Sequence, residues 1–230
     1  MSRTVATWNV NSLRVRLPHL TAWLAANPVD AIALQETKLP DADFPAADLQ
    51  SLGWNSAFSG QRTYNGVAIL SREPATDVVA GIPGFDDEQR RVLAASLGSL
   101  RVIDVYVPNG QTVGSDKFAY KLRWFDALRE YVAAELTRHP HLVVLGDFNV
   151  APEDRDVHDP KAWEGSVHVS PPERAAMQAL LGTGLADCFR LFEQPEKSYS
   201  WWDYRMMAFR RNAGLRIDLI LASNALAQKC

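Results

Sequence analysis

Cysteine is scarce in this sequence: the 230 residues contain only Cys188 and Cys230. Two cysteines are too few for a disulfide framework in a chain of this size, and neither lies in a metal-spaced cluster, which favours a reducing compartment. Long apolar runs are also missing, because the apolar segments are only as long as strands and none resembles a signal peptide or a membrane span. We therefore expect a cytoplasmic protein without membrane contact.

A strong excess of positive charge is absent as well. There are 24 Lys and Arg residues against 27 Asp and Glu residues, so the net charge is −3 and the pI is near 6.0. This balance argues against a protein that coats nucleic acid by bulk electrostatics. It does not argue against a nuclease, because an acidic metal site can coexist with local cations that meet phosphates.

Short β-rich apolar runs alternating with helical patterns are what the sequence contains in quantity. With 47% hydrophobic residues, the chain has enough apolar surface for one large core, and we predict a single domain over residues 1–230. Strands joined by a hairpin-sized link at Gly98-Ser99-Leu100, and elsewhere separated by single helices, predict an α/β fold with helix-covered sheets. The predicted strands are Val5 to Val10, Ala31 to Leu34, Gly66 to Leu70, Val92 to Leu97, Val102 to Val107, Leu142 to Leu145 and Ile217 to Leu221. The predicted helices are Leu13 to Ala26, Lys117 to Leu136 and Pro172 to Leu181, and Ala151 to Val169 is predicted to be a long loop.

Polar side chains follow or interrupt four of these strands, at Asn9, Glu36, Asp147 with Asn149, and Asp218. Asp147 and Asn149 are two residues apart, so on an extended chain they face the same side. Asp218 falls within an apolar run, where an unpaired carboxylate is costly or shifts its pKa. Each of these residues alone is equally typical of a cap or a turn. Together they form the oxygen-rich set that Mg²⁺ prefers, and they predict a metal site.

Seven ordered motifs make the chain resemble the exodeoxyribonuclease III family from Val5 to Ala227. They are Trp-Asn-Val-Asn-Ser-Leu-Arg, Leu-Gln-Glu-Thr-Lys, Gln-Arg-Arg, Tyr-Val-Pro-Asn-Gly, Gly-Asp-Phe-Asn, Ser-Trp-Trp-Asp-Tyr-Arg and Leu-Arg-Ile-Asp-Leu-Ile-Leu-Ala-Ser. The Glu and Asp-x-Asn elements are shared with a wider superfamily that includes DNase I and inositol polyphosphate phosphatases. The segments Ser200 to Arg205 and Asn109 to Lys121 are similar to its DNA-repair branch.

The resemblance implies a DNase I-like fold, which is a four-layer α/β/β/α sandwich, here apparently lacking its C-terminal strand. It implies a Mg²⁺-dependent hydrolase, with Mn²⁺ as a possible substitute, that acts on duplex DNA as a monomer. The expected reaction is cleavage of the phosphodiester on the 5′ side of abasic sites, together with 3′→5′ exonuclease and 3′-end-cleaning activity.

The resemblance also assigns roles to residues of this sequence. The residues expected to bind the metal are Asn9, Glu36, Asp147 and Asn149. The residues expected to take part in catalysis are Tyr106, Asp147, Asn149 and Asp218, with Asp147 orienting or deprotonating the attacking water and Asn149 contacting the phosphate. The residues expected to contact DNA are Arg90, Arg91, Lys121 and Trp201, of which Trp201 is expected in the pocket for the abasic sugar.

The sequence departs from the family at one motif. In the family, Ser-Asp-His-x-Pro follows the Arg-Ile-Asp strand, and this sequence does not contain it. We therefore expect Asp218 to lack its imidazole partner, and the rate of this chain to be reduced by about 10²–10³. We also expect the 230 residues to be an incomplete copy of a longer active enzyme, the alternative being a naturally shortened, inactive protein. The five histidines lie in no comparable context and are expected mostly on the surface or in loops: His19, His139, His141, His158 and His168.

Two other functions stay open on the sequence. A phosphoesterase acting on lipid or inositol phosphates would use the same scaffold. A catalytically inactive module that binds abasic DNA would need the basic and aromatic residues but no catalysis.

Overall fold

A computed structural model describes residues 3–230, which form two compact units. The first unit runs to Tyr106 and includes the returning segment His141–Asp147. The second unit contains Val107–Pro140 and Phe148–Cys230. The predicted single domain over residues 1–230 is not tested by this division and stays a prediction.

A four-stranded sheet with two helices on one face forms one half of the first unit. The strands are β1 (Val5–Asn9), β2 (Ala31–Gln35), β3 (Asn55–Ser59) and β4 (Val67–Ser71), in the order β1-β2-β4-β3. β1 and β2 are parallel, and the other two pairs are antiparallel. Helices α1 (Leu13–Ala26) and α2 (Ala46–Ser51) contribute leucines to a core shared with alternate residues of β2 and β4. That core includes Leu13, Leu20, Leu24, Ile32, Leu34, Leu49, Ala68 and Leu70.

A second group of strands packs face to face against that sheet within the first unit. These strands are β5 (Thr76–Ala80), β6 (Val92–Leu97), β7 (Leu100–Tyr106) and β8 (Leu142–Asp147), adjacent in that order. β6 and β7 form the predicted hairpin, with Leu97 opposite Leu100, whereas β7 and β8 are parallel. The first unit alone therefore contains three of the four predicted layers: helices, a sheet and a second sheet.

The second unit is built around two helices that pack together, α3 (Asp116–Arg138) and α5 (Pro171–Leu181). α5 begins as predicted. Its first residue is Pro171, and the side chain of Glu173, the third residue, forms a capping box with Ser170. The unit also contains the short helices α4 (Pro160–Trp163) and α6 (Asn224–Ala227). Its strands are β9 (Leu185–Asp187) antiparallel to β12 (Asp218–Ser223), and β10 (Trp201–Trp202) antiparallel to β11 (Gly214–Leu215).

Two predictions about secondary structure were incomplete. The segment Ala151 to Val169 is not a loop throughout, since it contains a 3₁₀ turn at Asp154–Asp156 and α4. The sequence missed five strands. β3 is half-buried but consists mainly of small polar residues, β5 is exposed, and β9 to β11 are only two or three residues long, so none of them has a clear apolar pattern. Among residues 3–230, no helix is long and apolar enough to cross a membrane.

Candidate active site

Four predicted site residues lie together in the first unit, at or just beyond the ends of its strands. Asn9 ends β1, Glu36 follows β2, Tyr106 ends β7 and Asp147 ends β8. Asn9 Nδ2 donates hydrogen bonds to Glu36 Oε1 at 2.8 Å and to Asp147 Oδ2 at 2.9 Å. The Tyr106 hydroxyl donates to the Glu36 carboxylate. We call these four residues the rim cluster.

Local backbone geometry explains how two of these side chains reach the cluster. Gly146 has a φ of 142°, and a Cβ at that position would lie 2.0 Å from the carbonyl oxygen of Val105. Glycine therefore permits the close β7–β8 approach that sets Asp147 opposite Tyr106. Glu36 leaves β2 with a φ of 55°, and its carbonyl oxygen accepts from the Ser12 backbone amide at 2.8 Å. That bond helps to hold a conformation that a residue with a Cβ rarely adopts.

The protonation states of the rim cluster are set by its own neighbours. Burial raises the pKa of Glu36, but hydrogen bonds from Asn9 and Lys38 and the positive charge of Lys38 outweigh it, so the pKa is lowered and Glu36 is ionised. Burial, followed by the negative charges of Glu36 and Asp147, raises the pKa of Tyr106. Tyr106 thus keeps its proton and remains a hydrogen-bond donor.

The oxygen donors of the rim cluster suit a hard divalent cation. Asn9 Oδ1 accepts from the Asn11 backbone amide at 3.0 Å, so Asn9 presents its nitrogen to the two carboxylates and holds them together. Glu36 and Asp147 remain as the charged oxygen donors. Within residues 3–230, no group of three or more His, Cys, Asp or Glu side chains is placed to hold a metal. Two carboxylates still fit Mg²⁺, which typically keeps several waters and takes one or two protein carboxylates.

A second polar layer lies beneath the rim cluster, between the two sheets of the first unit. Gln35 Nε2 donates to Asp104 Oδ1 at 2.7 Å and to Thr7 Oγ1 at 2.9 Å. Gln35 and Asp104 are fully buried. Burial raises the pKa of Asp104 well above its ordinary value, against the opposing hydrogen bonds from Gln35 and nearby backbone amides. Burial therefore favours the neutral form of Asp104, directly below a charged cluster.

Asn149, in the second unit, does not follow the extended geometry that the sequence suggested. β8 ends at Asp147, and Asn149 has a φ of 51°, so the rule that residues two apart face the same side does not apply. Asn149 is buried, its Nδ2 donates to the Val107 carbonyl at 3.0 Å, and its Oδ1 accepts from Asn109 Nδ2 at 3.4 Å. Asn109 is an exposed neighbour that the sequence reading did not single out.

Asp218 is placed differently from the prediction of a carboxylate inside an apolar strand. Asp218 is the first residue of β12, not an interior one, and it is half-buried and has an interaction partner. Its backbone amide donates to Ser200 Oγ at 3.0 Å, as does that of Ile217. The catalytic role assigned to Asp218 stays a prediction.

The structure corrects the interpretation of Lys121 as a surface cation that meets phosphate. Its side chain is 0% exposed, and Nζ donates to Glu173 Oε1 at 2.5 Å and to the Asn149 carbonyl at 2.7 Å. The ammonium group has no exposed surface for a phosphate. His168 also lies in the interior, not on the surface, and its Nδ1 donates to the Asn149 carbonyl at 2.6 Å. Burial, and then the charge of Lys121, lower the pKa of His168 to about 4, so it is neutral near pH 7.

The three other residues predicted to contact DNA differ in their solvent exposure. Arg90 is exposed. Arg91 is half-buried, with its guanidinium 4.6 Å from the centre of the Tyr106 ring and Nη1 donating to the Tyr106 carbonyl at 3.1 Å. Trp201 is half-buried, and its ring centre lies 6.5 Å from that of His168. Arg90 is thus the most accessible of the three.

Comparison with known proteins agrees with this geometry. Residues 6–230 match the sequence model of the Endonuclease/Exonuclease/phosphatase family. The chain belongs to that family. It is 35% identical to exodeoxyribonuclease III of Haemophilus influenzae, over 97% of this chain and 89% of that protein. Within the family it is a hydrolase of the exodeoxyribonuclease III and AP endonuclease type, as the motifs predicted.

Solved structures of related proteins extend the comparison. A 3′ phosphatase from Neisseria, bound to product DNA hairpin, is 51% identical, with a TM-score of 0.97 and coverage of 99% of this chain and 89% of that chain. An AP endonuclease from Archaeoglobus fulgidus is 38% identical, with a TM-score of 0.94 and the same coverage of 99% and 89%. These similarities confirm the predicted α/β fold class with two large sheets.

Proposed function

We propose that this protein is a Mg²⁺-dependent DNA-repair nuclease that hydrolyses phosphate esters of duplex DNA at abasic sites and at 3′ ends. The expected reactions are cleavage 5′ to an abasic site, 3′→5′ exonuclease digestion and cleaning of blocked 3′ ends. The observation that carries the proposal is the rim cluster, in which one amide holds Glu36 and Asp147 together beside the protonated Tyr106.

The chemistry required by a phosphodiester matches these groups. The ester is anionic and resists attack, so a site must neutralise it, hold a water in line and stabilise charge that develops on oxygen. A bound Mg²⁺, or Mn²⁺, would supply the neutralising charge, and Glu36 with Asp147 are the residues that would hold it. Tyr106 is protonated and can donate a hydrogen bond to a developing negative charge. Asp147 is the residue we assign to orient or deprotonate the water.

The relatives support DNA as the substrate. The Neisseria structure is that of a 3′ phosphatase with product DNA, and it is more similar to this chain than the Archaeoglobus AP endonuclease is, at 51% against 38% identity. We therefore expect 3′-end cleaning among the activities. We further propose that Arg90 contacts a DNA phosphate and that Arg91, which packs on Tyr106, lies at the same DNA interface. Trp201 is proposed to line the pocket for the abasic sugar. We also propose that the protein is a cytoplasmic monomer.

One assay separates the activities. Three duplexes, carrying an abasic analogue, a 3′-phosphate or an unmodified recessed 3′ end, are incubated with the protein in Mg²⁺ and then in EDTA. Because the sequence does not contain Ser-Asp-His-x-Pro, the same assay is run on a version extended by a segment with that motif. We expect Mg²⁺-dependent hydrolysis of at least one DNA substrate, and its loss in Glu36→Gln.

The alternatives give different results in the same experiment. Hydrolysis of a soluble phosphate ester without any DNA cleavage would support a phosphoesterase on non-DNA substrates. Salt-sensitive binding to the abasic duplex, with neither version cleaving any substrate, would support an inactive DNA-binding module. Either result would contradict the proposed nuclease.

A further inference from the structure

A buried ion pair in the second unit lies behind two asparagines. We propose that Lys121 and Glu173 are positioning residues that fix the carboxamides of Asn109 and Asn149 for contact with a substrate phosphate. The inference rests on the proposed function, in which Asn149 contacts that phosphate. We call Lys121, Glu173, Asn109, Asn149 and His168 the lysine hub.

The ammonium group of Lys121 joins three separate segments of the second unit. Its Nζ donates to the Asn149 carbonyl at 2.7 Å, to the Asn109 carbonyl at 3.1 Å and to Glu173 Oε1 at 2.5 Å. An ammonium group has three donors, and these three acceptors come from α5 and from the two stretches that carry the asparagines. Removing Lys121 would therefore take a hydrogen bond from the backbone of both asparagines at once.

Glu173 extends the same network to the start of α5. Its Oε1 accepts from the His168 backbone amide at 3.0 Å, and its Oε2 accepts from Ser170 N at 3.2 Å and Ser170 Oγ at 2.5 Å. The His168 ring in turn donates from Nδ1 to the Asn149 carbonyl at 2.6 Å. Asn149 thus receives support from Lys121 directly and from Glu173 through the segment that carries His168.

The backbone of the hub needs that support. Asn149 has a φ of 51° and His168 a φ of 78°, both in the left-handed region. Residues with a Cβ rarely stay there unless their surroundings hold them. Gly110, next to Asn109, has a φ of 89°, and a Cβ there would lie 3.0 Å from Lys121 Cδ. The chain therefore bends tightly around the buried lysine, and the asparagine side chains take their direction from these bends.

A purely structural ion pair and a positioning pair give different double-variant results. Lys121→Met alone leaves Glu173 charged and buried, so we expect the midpoint of thermal unfolding to fall by roughly 10 °C or more. Lys121→Met with Glu173→Met removes both charges and keeps the volume, so we expect the midpoint to recover only in part, because His168 N, Ser170 N and Ser170 Oγ lose their acceptor. The backbone carbonyls of Asn109 and Asn149 still lack their donor in this double variant.

The deciding readouts are taken on the double variant. We expect the side-chain amide resonances of Asn109 and Asn149 to shift and broaden in NMR spectra of asparagine-labelled protein. We also expect kcat for phosphate release from a 3′-phosphate duplex to fall about 10- to 100-fold, as for other supporting groups behind a site. Arg129→Met is the matched control, because it removes a partly exposed cation from the same helix, and it should leave both readouts unchanged.

Parent-like amide resonances together with parent-like kcat in the stable double variant would overturn the inference. If Lys121→Met with Glu173→Met does not fold, Lys121→Gln with Glu173→Gln provides a neutral amide pair for the same comparison. If neither the parent nor the extended version hydrolyses a DNA substrate, the proposed function fails, whereas the amide resonances still decide whether the pair positions the asparagines.

Discussion

The rim cluster of the first unit and the lysine hub of the second unit handle buried carboxylates in opposite ways. In the rim cluster, Glu36 and Asp147 share one neutral amide donor, and Lys38 pairs with Glu36 at 2.9 Å. In the lysine hub, Glu173 is 0% exposed and is matched by an equally buried Lys121. The first arrangement gathers two carboxylates around one amide, as suits a cation site, and the second pairs opposite charges to hold the backbone.

The layer beneath the rim cluster shows a third solution. Asp104 is fully buried, and in the described part of the chain its Oδ2 makes no hydrogen bond, so burial favours its neutral form. Burial alone therefore does not define the role of a carboxyl group. The charge that the neighbours supply determines whether it can bind a cation, lock a backbone or pack as a neutral acid.

The largest expected effect separates chemistry from stability. Asp147→Asn keeps an oxygen that can accept from Asn9 but removes the charge, so we expect hydrolysis to fall about 10²–10⁴-fold. The thermal midpoint should change little, since the amide keeps the volume of the side chain and an acceptor for Asn9. Rate and unfolding measurements on Asp147→Asn and on the exposed control Asp86→Asn check this. A large loss of stability with retained activity would place Asp147 with the lysine hub instead.

The next effect is on stability. Glu173→Gln leaves Lys121 charged and buried without its counter-ion, so the free energy of unfolding should fall by about 3–5 kcal/mol. Urea denaturation of this variant measures the loss. Glu164→Gln, on an exposed position of the same unit, should change stability by less than about 0.5 kcal/mol. Equal stability of the parent and Glu173→Gln would contradict the buried ion pair.

A smaller effect depends on pH. The pKa of Asp104 is raised in the folded protein, so its contribution to stability is present below the unfolded pKa of about 4 and is lost as pH rises through the folded pKa. In that window the slope from this group is about −1.4 kcal/mol per pH unit. Asp104→Asn, which resembles the neutral acid, should remove it, as urea titrations at several pH values would show. An unchanged slope would mean that Asp104 is ionised in the fold.

The smallest effect concerns an exposed cation. Arg90→Ala should weaken binding to duplex DNA of any sequence. It should also lower the number of counterions released on binding, given by the salt dependence of the affinity, by about one. Fluorescence anisotropy at three salt concentrations measures both changes. Arg62→Ala, another exposed arginine of the first unit, serves as a comparison. A salt dependence equal to that of the parent would remove Arg90 from the interface.

Much of the fold and the gathering of the rim cluster were predictable from the sequence. The apolar runs of β1, β2, β7 and β8 are strong signals, and polar residues at the ends of such strands tend to meet at one rim. The motif order then supplied Tyr106, which on pattern alone is more typical of a packed strand residue.

The rest could not be predicted because it depends on tertiary contacts. Lys121 occurs in an amphipathic helix, where a lysine is usually exposed, and only its proximity to Glu173 makes its burial possible. His168 and Asn149 take left-handed backbone conformations that nothing in their local sequence requires. Asp104 and Gln35 are 69 residues apart, and their contact exists only once two sheets pack together.

Titration calorimetry with Mn²⁺ tests the central claim most directly, because it does not depend on turnover. The protein, Glu36→Gln and Asp104→Asn are compared under identical conditions, the last as a variant beneath the rim cluster that adds no charge to it. We expect saturable binding to the protein and to Asp104→Asn, and at least about 10-fold weaker binding to Glu36→Gln. Absent binding by the protein, or equal binding by Glu36→Gln, would contradict a metal site at the rim cluster.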